Sequence, residues 1–141
     1  MNMQDIAHTT GPVSFFSRTY DESVDLLHEA KAYLAEAQAQ EAAAYGVAGR
    51  AVVAQETTRL IARLTQVMAW LLVRKAVHAG EMSSDEALDR RHRLSGHSVC
   101  LAEGQVANLM PETRLAQLMD RSRRLYVRVS RLDDMLERGA I

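Results

Sequence analysis

The sequence is poor in residues that cross-link, interrupt or stiffen a chain. Its single cysteine, Cys100, cannot form a disulfide within the chain, which is typical of a protein from a reducing compartment. Only 2 prolines and 7 glycines occur among 141 residues, and aromatic residues make up 5%. No stretch alternates apolar and polar residues as a half-buried strand would. The composition therefore predicts a single all-α domain.

The chain also lacks a long apolar run and an excess of charge of either sign. In its most apolar segment the longest such run, Val67 to Val73, is far shorter than the roughly 20 residues that span a bilayer. The formal net charge is -1, so no general attraction to nucleic acid or to an anionic membrane is expected. The start of the chain does not have the order of regions found in a secretory signal. These features predict a cytoplasmic protein without a membrane segment.

Helical periodicity divides the chain into three long helices. Residues 1–12 predict a flexible lead-in, and residues 13–141 predict one helical-bundle domain. The first helix is expected from Val13 to about Ala44, the second from near Arg50 to Gly80, and the third from Pro111 to Gly139. The short connection between the first two indicates antiparallel neighbours. We therefore expect an antiparallel three-helix bundle.

A segment of weaker pattern separates the second and third long helices. Ser83 and Glu86 have the spacing of a capping box and predict a short extra helix of two or three turns. Residues 94–110 contain Gly96 and Gly104, lack a sustained period, and predict an irregular inserted loop. Such a loop is either a tether that orders on a partner or a passive linker.

The second long helix presents faces of different chemistry. A broad arc of large aliphatic residues predicts bundle core and comprises Leu60, Ile61, Leu64, Val67, Met68, Leu71 and Leu72. A neighbouring strip of small residues suits close helix packing and comprises Thr58, Ala62, Thr65, Ala69 and Ala76. We expect this strip to contact either a second copy of the chain, which would form a homodimer, or another helix of the same subunit.

The remaining face of this helix is polar but has a tryptophan at its centre. It includes Arg63, Gln66, Trp70 and Arg74. Tryptophan and arginine are enriched at binding hot spots, so these four residues predict a partner-binding surface. The alternative is that the first or the third long helix covers the tryptophan within the subunit.

No residue pattern indicates a reaction centre. His92, His97 and Cys100 include a histidine and a cysteine at close spacing, but a closed zinc site needs four ligands. Cys100 has no base or orienting acid in a recognisable motif, and no glycine-rich phosphate loop occurs. We therefore expect no catalytic, metal or cofactor site and no enzyme activity.

Arginines cluster in the short extra helix and in the third long helix. The clusters comprise Arg90, Arg91 and Arg93, and Arg121, Arg123, Arg124, Arg128 and Arg131. Acidic residues interleave with the second cluster, and no helix-turn-helix or base-stacking motif accompanies either one. A solvated or partner-facing surface is favoured over a nucleic-acid groove. A small helical nucleic-acid-binding or transcription-associated regulator is the alternative function.

Three stretches of the sequence resemble a known family. The first helix contains FFSRTYDESVDLLHEAKAYLAE, the second helix and the following cap contain TTRLIARLTQVMAWLLVRKAVHAGEMSSDEA, and the third helix contains SRRLYVRVSRLD. Together they cover most of the predicted helical residues. They resemble the RcdA-like regulators of CtrA degradation from alphaproteobacteria.

The resemblance implies a non-enzymatic adaptor of the ClpXP protease, built as a dimeric helical bundle. It implies that the chain helps deliver cell-cycle regulators such as CtrA to ClpX for unfolding and to ClpP for degradation. The implied partners also include a CpdR-like response regulator and a PopA-like cyclic-di-GMP effector. The implied location is the cytoplasm, with recruitment to the cell pole.

Overall fold

The computed structural model describes residues 12–141, with side chains from Phe15 onward, and this part of the chain is mainly helical and contains no strand. Its elements are α1 (Pro12–Glu36), α2 (Gln38–Ala44), α3 (Gly46–His78), α4 (Ser84–Ala87), a 3-10 turn (Arg90–His92), α5 (His97–Cys100), α6 (Val106–Leu109) and α7 (Arg114–Glu137). The predicted all-α bundle with three long helices is confirmed. The predicted lead-in lies outside the described residues, except that Pro12 begins α1.

The first two long helices differ from their predicted bounds at the glycine-rich connection. α1 ends at Glu36, and Ala37, at φ -127° and ψ -23°, separates it from the short α2. Gly46 has a φ of 71°, which an L side chain rarely adopts, so the chain can turn there directly into α3. α3 therefore begins before the predicted Arg50. Gly80, at φ 77°, follows its C-terminal end as predicted.

The three long helices do not all alternate in direction. α1 runs antiparallel to both α3 and α7. α3 and α7 run parallel, because Arg63 lies beside Ser122 and Trp70 lies beside Asp133, farther along both helices. A parallel pair requires a connection that returns along the length of the bundle, and residues 79–113 provide that connection.

Residues 79–113, which we call the covering segment, pack along α3 as a fourth layer. In chain order their contacts move back toward the start of α3: Ala87 meets Arg74, Ser95 meets Gln66, Val99 meets Arg59, and Gln105 meets Glu56. Four of its apolar side chains are buried in the core: Leu94, Cys100, Val106 and Met110. The predicted loop 94–110 is thus an ordered cover of the bundle that includes α5 and α6.

Hydroxyl caps set the starts of α4 and α7. The hydroxyl of Ser83 accepts the backbone N–H of Glu86 at 3.0 Å, as the predicted capping box requires, although α4 makes a single turn. The hydroxyl of Thr113 accepts the N–H of Ala116 at 3.1 Å, so α7 begins at Arg114. The prediction that Pro111 begins the last helix was wrong. The helix begins three residues later, directly after Thr113, because the Thr113 hydroxyl caps its first turn.

The core confirms some predicted apolar faces and corrects others. On α7 the side chains that recur at steps of three and four residues from Leu115 to Leu136 form a seam that is buried or half-buried throughout. Ile61 and Leu72, predicted as core, are 49% and 51% exposed. On α1 the buried positions are Thr19, Ser23, Leu26, Ala30 and Tyr33, whereas Leu27 and Leu34 are exposed. The aliphatic arc predicted for the second long helix is therefore wider than the area that its neighbours cover.

Candidate interaction surfaces

Trp70, the centre of the predicted partner-binding face, lies inside the bundle. It is 2% exposed, and its indole N–H donates to Oδ1 of Asp133 at 2.9 Å. The ring of Phe16 meets it edge-on with centroids 5.8 Å apart, and the guanidinium of Arg74 lies 5.1 Å from its centroid. The first and last long helices thus cover the tryptophan, as the alternative interpretation required.

Arg63 is a buried cation that joins α3 to the covering segment and to α7. It is 2% exposed. Its Nε donates to the carbonyl of Cys100 at 2.8 Å and its Nη2 to the carbonyl of Ala102 at 3.3 Å. Its Nη1 donates to the carbonyl of Met119 at 3.0 Å and to the hydroxyl of Ser122 at 3.2 Å. Burial and, to a smaller extent, the nearby cationic Arg59 together lower the pKa of Arg63 to about 10, so the guanidinium stays charged at neutral pH.

The other two residues of the predicted face also bind the covering segment. Oε1 of Gln66 accepts the hydroxyl of Ser95 at 2.8 Å and its backbone N–H at 3.3 Å. Nη2 of Arg74 donates to the carbonyl of Ala87 at 3.0 Å. The prediction that this face is open to a partner was wrong, because the covering segment of the same chain occupies it. Its polar atoms instead satisfy the irregular backbone that crosses it.

The buried carboxylate of Glu56 fixes the far end of the covering segment. It pairs with Arg59 at 2.6 Å and accepts the backbone N–H of Gln105 at 3.2 Å. Gly104 comes so close that a methyl group there would overlap both carboxylate oxygens. The sequence contains a weak signal of this contact, since a glycine inside a non-periodic stretch indicates a close approach of two groups.

The arginines of α7 mainly hold the bundle together. Three of them pair across to α1 at heptad spacing: Arg114 with Glu36, Arg121 with Glu29, and Arg128 with Glu22. Arg93 of the covering segment pairs with Asp133, Asp134 and Glu137 near the end of α7. Acidic side chains therefore neutralise much of this charge, which weakens the nucleic-acid interpretation of the clusters.

The candidate metal ligands lie in separate environments. Cys100 is fully buried, and burial raises the pKa of its thiol. His97 is exposed and faces the ring of Tyr126 with centroids 5.7 Å apart. Among the residues the structure describes, no three His, Cys, Asp or Glu side chains converge as metal ligands would.

Within that same part of the chain, no helix has both the length and the hydropathy to cross a bilayer.

The predicted strip of small residues lies on an uncharged surface. Thr58, Thr65 and Ala69 are exposed, and Ala62 and Ala76 are half-buried. The residues that share this side of α3 are Val47, Ala51, Ala54, Thr58, Ile61, Thr65, Ala69, Leu72 and Ala76. None of these side chains carries a charge, so one side of this 33-residue helix is uncharged from Val47 to Ala76.

Exposed leucines of α1 widen this surface. In the antiparallel register that places Tyr20 against Lys75 and Gln38 against Thr57, Leu34 lies level with Ile61. Leu27 and Leu34 are 45% and 36% exposed. We call the small-residue strip together with Leu27, Leu34, Ile61 and Leu72 the α1–α3 face. Exposed apolar side chains grouped in this way are typical of surfaces that contact another molecule.

Comparison with known proteins places the fold in a family. The family model described as "Protein of unknown function (DUF1465)" matches residues 10–140. The crystal structure of RcdA from Caulobacter crescentus CB15 aligns with a TM-score of 0.68 at 34% identity, over 86% of this chain and 89% of that chain. The search of curated proteins gives no match. The chain belongs to the DUF1465 family and is RcdA-like in sequence and fold.

Proposed function

We propose that this chain is a non-enzymatic adaptor that helps deliver cell-cycle regulators, such as CtrA-type cargo, to the ClpXP protease. The observation that carries the proposal is the likeness to RcdA at 34% identity over most of both chains. The α1–α3 face adds support, since an adaptor acts by contact and needs exposed surface for it.

An adaptor of this kind works by raising the local concentration of its cargo. When one chain binds both the cargo and the unfoldase, the encounter between them becomes effectively intramolecular. In this proposal ClpX with ClpP is the destination, and a CpdR-like response regulator and a PopA-like cyclic-di-GMP effector are further partners. The place of action is the cytoplasm, including the cell pole.

A reconstituted degradation reaction tests the proposal directly. It contains purified ClpX, ClpP, a CpdR-like protein, a PopA-like protein with cyclic-di-GMP, and CtrA-type cargo, with or without this chain. We expect this chain to accelerate loss of cargo in proportion to its concentration. Equal rates with and without it, together with no recovery of ClpX, CpdR or cargo in a pull-down, would refute the adaptor function.

We also propose that the α1–α3 face forms a homodimer. α3 is about 50 Å long, because an α-helix rises about 1.5 Å per residue. A band about 16 Å wide along it would supply the roughly 800 Å² per partner of a stable interface. Small side chains such as Ala69 let two copies of α3 approach closely. Two copies would present every partner surface twice and add avidity.

Charge placed within the face tests the dimer. Leu72→Glu introduces a carboxylate into the apolar area at a position that is 51% exposed, so the folded subunit tolerates it. Leu109→Glu is the matched control, because Leu109 is 54% exposed and lies on α6, away from the face. By light scattering after gel filtration we expect Leu72→Glu to be monomeric and Leu109→Glu to be dimeric. A dimer in both variants would exclude this face as the interface.

A further inference from the structure

A groove lies where the first turns of α1 meet the last turns of α3. It has a volume of about 180 Å³ and is lined by Phe16, Ser17, Arg74, Lys75, His78 and Ala79. We call it the basic groove. None of the residues of the α1–α3 face lines it, so it is a separate surface.

The basic groove has an apolar floor sized for one side chain. Phe16 supplies the floor, and its ring packs against Trp70 on the core side at 5.8 Å between centroids. A protein cavity of about 150 Å³ binds benzene, so about 180 Å³ accommodates a single leucine-sized group. Burying such a group is favourable in proportion to the apolar area removed from water.

The charged side chains around the basic groove are all basic. Lys75 Nζ lies 4.0 Å from the centroid of the Tyr20 ring rather than against a carboxylate. Arg74 donates from Nη2 to the carbonyl of Ala87 and is attracted by the carboxylate of Asp133, so Lys75 is the cation that faces an incoming ligand. Among the described residues, no Asp or Glu lines this groove.

We infer that the basic groove binds an acidic protein segment in which a large apolar side chain is flanked by Asp or Glu. The apolar side chain enters above Phe16, and a flanking carboxylate pairs with Lys75. A pocket sized for one apolar side chain has no counterpart in a nucleic-acid backbone, which favours a protein segment as the ligand. The inference rests on the proposed adaptor function and names a class of partner for it. Its test involves no protease, so the groove inference and the adaptor function can each fail without the other.

The only tryptophan of the chain is a built-in reporter for this site. Trp70 contacts both Phe16 and Arg74, and both of these residues line the groove. The probe is a blocked peptide with an Asp-Leu-Glu centre, titrated into the full chain while Trp70 fluorescence is recorded. We expect a saturable change that weakens as salt is added. An Asp-Ala-Glu peptide should bind about tenfold more weakly, because it lacks the apolar anchor.

Three variants locate the binding. Lys75→Glu should weaken the Asp-Leu-Glu peptide at least about tenfold, because it places a like charge at the rim. Ser17→Phe fills the groove without changing charge and should abolish the fluorescence change. Arg50→Glu is the matched control, since Arg50 is an exposed cation at the other end of α3 with no ion pair among the described residues. It should bind as the wild type does.

Several results would overturn the inference. The first is no saturable change, and the second is equal binding by the wild type, Lys75→Glu and Ser17→Phe. Loss of binding when residues 1–11 are deleted would assign the effect to that segment. Sedimentation with phosphatidylglycerol vesicles that Lys75→Glu abolishes would assign the groove to a membrane. Conversion of a dimer to a monomer by Lys75→Glu would assign it to a second copy.

Discussion

Arg63 provides the sharpest test of how this fold is held together. Its substitution by methionine keeps the length and much of the apolar contact of the side chain while removing every hydrogen-bond donor. The carbonyls of Cys100 and Ala102 would then lose their partner, because neither accepts a backbone N–H in the described part of the chain. The covering segment would lose its central attachment to α3.

The expected loss follows from these hydrogen bonds. A buried polar group left without a partner costs about 1–3 kcal/mol, so two carbonyls cost about 2–6 kcal/mol. Removing the guanidinium also ends the cost of burying its charge, a cost that is visible in the lowered pKa of Arg63. We therefore expect Arg63→Met to reduce the free energy of unfolding by about 2–4 kcal/mol, a large share of the 5–15 kcal/mol typical of a domain.

Urea unfolding followed by circular dichroism measures this loss. The free energy of unfolding of Arg63→Lys should lie between those of the wild type and Arg63→Met, because an ammonium group cannot reach all the carbonyls that the planar guanidinium bridges. Arg124→Met is the control, since Arg124 is 71% exposed and pairs only with Asp120 on its own helix. It should stay within about 0.5 kcal/mol of the wild type. An equally small change for Arg63→Met would refute the role assigned to this side chain.

Three further predictions concern buried contacts of α3 and the covering segment. Gly104→Ala should lower the free energy of unfolding by about 1–3 kcal/mol in the same assay, because the added methyl group displaces the Glu56 carboxylate from its partners. Asp133→Asn should cost about 1–3 kcal/mol and change the fluorescence of Trp70, because the amide keeps an acceptor for the Trp70 N–H but places an NH2 group against the Arg93 guanidinium in place of the carboxylate oxygen that pairs with it. Cys100 should react with a thiol reagent at pH 8 at least about a hundredfold more slowly in native protein than in urea, because it is buried and its raised pKa keeps it protonated.

The long helices could be predicted because their signal repeats over many turns. The seam of α7, from Leu115 to Leu136, follows steps of three and four residues, a pattern that can be read from the sequence, and it is buried or half-buried in the structure. The cap at Ser83 was equally readable, because a capping box depends on only two positions. Local rules of this kind do not require knowledge of the rest of the chain.

The covering segment could not be predicted, because its helices are a single turn long and have no period. Its position depends on contacts between residues far apart in sequence, such as Arg63 with Cys100. Without that layer, the polar face around Trp70 has the composition of an exposed binding surface. The same missing layer explains why the parallel direction of α3 and α7 was not anticipated.

The exposed leucines show a different limit of sequence patterns. Leu72 and Ile61 belong to a continuous aliphatic arc with Leu64 and Leu71, and hydropathy does not show where such an arc leaves the core. Only the positions of the neighbouring helices decide this. An arc wider than one neighbour can cover is thus a sequence signal for a surface that a partner would complete.

Two buried polar contacts fix the register of α7 against α3. Arg63 meets Ser122, and Trp70 meets Asp133, so the contacts lie at two levels of a seam that is otherwise apolar. An apolar seam of repeated leucines tolerates a shift by one turn, because one leucine replaces another. The same shift here would bury Arg63 and Asp133 without their partners, at a cost that apolar contacts cannot offset. The polar contacts therefore select one alignment of the parallel pair, and that alignment holds the covering segment against Arg63 and Gln66 and leaves the α1–α3 face on the outside.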